Sequence, residues 1–157
     1  MDRYRMARHE AGHGLLAWVS GHRIRLTVDP AKLATVSEGL GTDAGGHCEI
    51  LNPRCSDEDQ LLVSFGGMIA DGDIDGAWHD LVQAVDLARE INTEDPASAL
   101  QSHYVGAHDI LTTPRIDRAV DALARELERD GTIGPKRADK VILKALAKKP
   151  RTNAPKR

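Results

Sequence analysis

Aromatic residues are scarce in this 157-residue chain: Tyr4, Trp18, Phe65, Trp78 and Tyr104 are all there are. The core must therefore be built mainly from Leu, Val, Ile and Ala, a composition that favours helices. Cysteine is also scarce. Cys48 and Cys55 are too few for a disulfide scaffold, lack the close pairing of a zinc ribbon, and read as free thiols. No apolar run approaches the ~20 residues needed to cross a bilayer, and Met1-Asp2 leads into charged sequence without a signal-peptide core. The cytosol is the expected compartment, with no membrane partner. A strong charge of either sign is missing too. A net charge of -3 with 29% charged residues argues against a nucleic-acid partner.

What remains is one domain over residues 1–149 and a basic tail, expected to be disordered, over residues 150–157. Residues 2–20 lack proline, offer Asp2 as an N-cap and stop at Ser20-Gly21, which predicts a first helix. Polar and apolar residues alternate from His22 to Val28, the pattern of a half-buried strand. A Gly-rich mobile loop over 31–46 then leads to a short second strand at 47–51. Ser56-Asp57-Glu58-Asp59 resembles a capping box, and apolar Leu61, Leu62, Phe65, Met68 and Ile69 continue at helical spacing through Gly66-Gly67. After a turn over 71–76, an amphipathic helix spans 77–91 with Asp80 near its start. A weaker helix runs to about Tyr104, a stronger one carries Ile116, Val120, Leu123 and Leu127 to Gly131, and Pro135 opens a basic helix to about Lys149.

The chemistry concentrates in His9-Glu10-Ala11-Gly12-His13. Two histidines at i and i+4 share one helix face a turn apart and can hold one metal together. Glu10 between them can reach the metal's water as a general base without replacing it, which is the zincin arrangement. Gly12 and Gly14 within the same helix imply close approach by another element, since two glycines there otherwise weaken the helix. A catalytic zinc needs a third protein ligand. Val19 occupies the position where a metzincin would place its third histidine, so Asp80, Asp71, His79, His47, His103 and His108 are the alternatives.

Three ordered blocks resemble the peptidase domain of the FtsH family, the M41 metallopeptidases. They are the HEAGH motif, Phe65-Gly66-Gly67-Met68-Ile69-Ala70-Asp71, and Gly76-Ala77-Trp78-His79-Asp80-Leu81 with the helix that follows. The resemblance spans about residues 4–145. It implies a mainly α fold with a small β element, in which the active-site helix is packed into a helical bundle. It also implies Zn2+ as cofactor, Asp80 as third ligand beside His9 and His13, and Asp71 at the family's middle-block acidic position. Asp71 is then the expected partner for a histidine ring N–H. Met68, His79 and His47 depart from the family's usual arginine, asparagine and tyrosine.

No Gly-rich phosphate loop ending in Lys-Ser/Thr occurs, so the ATPase of the family is missing from this sequence. The expected activity is ATP-independent hydrolysis of flexible or unfolded polypeptides. A separate ATPase or a full-length FtsH-family protein is a conceivable partner, and oligomerisation is open. The rival readings are a non-catalytic zinc-binding adaptor and a regulatory peptidase specific for one protein. Glu10 and a three-ligand set argue against the adaptor, because a structural zinc is usually closed by four protein ligands and needs no base.

Overall fold

A computed structural model describes residues 2–28, 45–51, 54–73 and 77–148. The fold is mainly helical with a small antiparallel sheet. At its centre is helix α1, Arg3–Val19, started by the Asp2 carboxylate accepting from the Arg5 backbone N–H at 2.7 Å. From Met6 to Ala17 all its residues but Arg8 are buried. A helix covered on almost every side needs neighbours all round, and the rest of the chain supplies them.

Strand β1, Ile24–Val28, is the middle of the sheet, between β2, Gly46–Ile50, and β3, Thr132–Ile133. The expected alternation is realised: Ile24, Leu26 and Val28 are buried, while Arg25 is exposed. Leu26 lies opposite Cys48 on β2 and Ile133 on β3. Only two residues long, β3 has no periodicity for a sequence reading to detect. It follows Gly131, whose positive φ of 75° turns the chain and lets its carbonyl accept from the Val28 N–H at 2.8 Å.

The continuous helix expected from Ser56 to Ile69 is instead two short ones, α2 over Asp57–Ser64 and α3 over Gly66–Asp71. The chain tightens at Phe65, whose N–H bonds to the Leu62 carbonyl, and Gly66-Gly67 follow directly. Two glycines give a helix little reason to stay continuous. The break leaves the Val63 carbonyl available to a side chain of α1.

Helix α4 covers Trp78–Ile91 and α5 covers Pro96–Leu111, so the weak helix expected to end near Tyr104 runs seven residues further. Asp95 caps it through the Ser98 N–H, and Pro96 starts it with a preset φ. Helix α6, Pro114–Asp130, buries Ala119, Val120, Leu123, Ala124 and Leu127 against α1 and α7, the last helix, Pro135–Ala147. Trp18 Nε1 donates to Asp139 at 2.9 Å and ties α7 to α1. No described helix is long and apolar enough to cross a membrane. Of the loop expected over 31–46, residues 31–44 lie outside the described residues, as does the expected tail, while Gly46 is the first residue of β2 rather than loop.

Candidate metal centre

His9 and His13 leave α1 on one face, as their spacing dictates, with ring centroids 4.8 Å apart and planes at 72°. Asp80 enters from the first turn of α4. Its Oδ2 stands 3.0 Å from His9 Nε2 and 3.3 Å from His13 Nε2, and the two Nε2 atoms are 3.1 Å apart. The opposite ring nitrogens are held separately. His9 Nδ1 donates to Asp71 Oδ2 at 3.0 Å, and His13 Nδ1 donates to the Val63 carbonyl at 2.7 Å. A carbonyl only accepts, so His13 carries its proton on Nδ1, and Asp71 Oδ2 as acceptor sets the same tautomer on His9. Both Nε2 lone pairs then point at the Asp80 carboxylate.

Three electron-pair donors facing one another at 3.0–3.3 Å repel unless a cation lies among them. Zinc bonds of about 2.0–2.1 Å in a tetrahedron put neighbouring donors about 3.3 Å apart. The donor set and its spacing fit such an ion closely, with a fourth corner left for a non-protein ligand. Without metal, protons must do the neutralising. Burial pulls the His9 imidazole towards its neutral form, but the Asp71 and Asp80 hydrogen bonds and the nearby carboxylate charges outweigh it and raise its pKa to about 10. His13 is raised against its own burial by the Asp80 hydrogen bond and charge. Asp80, disfavoured as an anion by burial, is nevertheless held well below the ordinary carboxylate range by hydrogen bonds from His13 and His9.

Glu10 is buried, 5% exposed, against the start of β2. A Cβ added at Gly46 would fall 2.4 Å from Glu10 Oε1, so only glycine leaves room for that carboxyl. Burial raises its pKa, partly countered by the positive histidines. A carboxyl raised in this way holds a proton more readily than an ordinary glutamate, which suits a group that must accept one and return it. The glycines of the motif also find their reason. At Gly12, α1 crosses α3 so closely that a Cβ would meet the Gly66 carbonyl oxygen at 2.2 Å. One residue on, Gly67 lies against the His9 ring.

The alternatives for the third position do not converge on the histidine pair. Asp71 is at the end of α3 on the Nδ1 side of His9, with a side chain 0% exposed and a second hydrogen bond from the Asp73 N–H. His47 is exposed on β2 opposite Thr27, close enough for its charge to bear on Glu10. His79 faces out from α4 towards a groove lined also by Val82, Gln83 and Asp86. His103 donates to the Ala99 carbonyl, and His108 is exposed beside Asp109. Sequence reasoning missed the Val63 carbonyl, since any residue type can present a backbone oxygen. No protein-family model matches the chain, and no curated protein matches it significantly.

Proposed function

We propose that the protein is a zinc-dependent metalloendopeptidase, similar in its site to the FtsH-type M41 peptidases, acting on flexible or unfolded polypeptides in the cytosol without ATP. The observation that supports it most is the convergence of His9 Nε2, His13 Nε2 and Asp80 Oδ2 at 3.0–3.3 Å beside a buried glutamate. His9, His13 and Asp80 would hold the metal. When bound, zinc supplies a Lewis acid for the scissile carbonyl and makes water acidic enough to attack near neutral pH. Glu10 takes the proton of the attacking water and returns it to the leaving amine. Asp71 and the Val63 carbonyl fix both rings and their tautomers, so each Nε2 presents a lone pair without a search over orientations. Glu10 and His9 are both buried, so their charges act over a lower dielectric than in water.

The adaptor reading meets two obstacles in the same residues: a set of three protein donors leaves a coordination corner open, and Glu10 is buried at a cost that a staple would not need. The deciding experiment is cleavage of an unstructured peptide by wild type, Glu10→Gln and His13→Ala, with zinc measured on each. Glu10→Gln should keep the zinc of this centre and lose cleavage, and His13→Ala should lose both the zinc of this centre and cleavage. Zinc at this centre without cleavage in wild type would favour the adaptor.

A further inference from the structure

We propose that His22, Cys55 and Asp59 form a second metal site, structural in role, for a borderline divalent cation of the zinc class. His22 follows Gly21, whose positive φ of 88° turns the chain out of α1. Cys55 and Asp59 flank Ser56, the N-cap of α2. One donor atom from each of the three lies within 4.8 Å of the others, and His22 Nε2 is 2.8 Å from Asp59 Oδ2. His22 is only 8% exposed, and among the described residues its ring makes a hydrogen bond only through Nε2, to Asp59, while its buried Nδ1 has no partner.

The donor chemistry selects the ion. Sulfur, imidazole and one carboxylate suit zinc, cobalt or similar ions, whereas magnesium and calcium prefer all-oxygen sets. The local field is negative. Asp57, Glu58 and Asp59 fill the first turn of α2 and offset the positive end of that helix. Burial, Asp59 and Asp57 together raise the pKa of the Cys55 thiol. Binding releases the thiol proton to solvent and moves the His22 proton from Nε2 to Nδ1. Tetrahedral donors stand about 3.3 Å apart for nitrogen and oxygen and about 3.5 Å for sulfur. The His22–Asp59 pair, 2.8 Å apart, must therefore open slightly, and the three donors, within 4.8 Å of one another, must close on the ion.

The site has a structural consequence that does not depend on the peptidase reading. It joins the start of α2 to the end of α1, while the Val63 carbonyl near the other end of α2 already accepts from His13 on α1. Helix α2 is then pinned to α1 at both ends, and the ring of His13 is held by a rigid element.

The test uses the full chain, stripped of metal and reloaded with cobalt. The His9, His13 and Asp80 centre contains no sulfur ligand, so a thiolate-to-cobalt charge-transfer band reports on the second site alone. The band should appear in wild type, Cys48→Ser and Asp80→Ala, and vanish in Cys55→Ser and His22→Ala. Zinc content should be two per chain in wild type and one in Cys55→Ser. In the Cys48→Ser background, zinc should slow labelling of Cys55 by a thiol reagent at least tenfold. No band in wild type, a band that survives Cys55→Ser, or labelling indifferent to zinc would reduce the cluster to an ordinary His22–Asp59 ion pair and overturn the proposal.

Discussion

Adding one methyl at the crossing of α1 and α3 should separate the stability of the fold from the integrity of the metal centre. In Gly12→Ala the new Cβ would lie 2.2 Å from the Gly66 carbonyl oxygen and 2.5 Å from Ala70 Cβ. Ordinary contacts between such atoms are about 3.5 Å, so the helices must part by about 1 Å. Backbone cannot rotate aside as a side chain does. Overpacking costs about 1–3 kcal/mol and belongs at the upper end here, while alanine recovers up to about 1 kcal/mol of helix propensity. The net loss is about 2 kcal/mol. For a chain of this size that lowers Tm by about 4–8 °C, read by circular dichroism on metal-free protein. Gly67→Ala differs because its Cβ would meet the His9 ring, with Nε2 at 2.2 Å, rather than backbone. The ring must leave Asp71 and Asp80, so zinc affinity should fall by more than the ~10–100-fold that loss of an outer hydrogen-bond partner costs. A Gly12→Ala protein as stable as wild type, or a Gly67→Ala protein with unaltered zinc affinity, would refute the packing on which this reasoning rests.

Asp80→Ala should abolish most zinc affinity at the HEAGH centre, whereas Asp71→Ala should weaken it about 10–100-fold, and the reverse ranking by competition titration would exchange their roles. Zinc binding to metal-free protein should release protons at pH 7, because His9, raised to about 10, is protonated there and must give up Nε2. Calorimetry in buffers of different ionisation enthalpy reads this, and a heat independent of buffer would contradict it. Without metal, the stability contributed by His9 should be complete below its ordinary value of 6.5 and disappear as pH rises through about 10. Asp80, held low, contributes above its ordinary value of 3.8 and loses this as pH falls through its lower folded value, so urea midpoints should decline at both extremes. Finally, casein-like unfolded protein should be cleaved equally with and without ATP and a stable globular protein spared, since a folded domain resists opening by about 5–15 kcal/mol. ATP-stimulated loss of the globular substrate by the purified chain would contradict the stand-alone reading.

Local chemistry made much of this legible in the residues alone. The i, i+4 histidines needed only the period of a helix, β1 announced itself by alternation, and Asp2, Ser56 and Gly131 marked helix ends through their capping chemistry. Other features depend on contacts between residues far apart in the chain. Asp71 and Asp80 were both open as third ligands until packing put one on the Nδ1 side of His9 and the other on the Nε2 side. The break at Phe65 looked like helix by periodicity, and only the approach of α1 to within backbone contact of Gly66 gives the two glycines and the freed Val63 carbonyl their meaning. His22, Cys55 and Asp59 lie up to 37 positions apart in the sequence, with no spacing rule to join them. Local preference depends on near neighbours along the chain, and it can be read there. Which donors meet at one point depends on how whole helices cross, which is settled only when the core closes around α1.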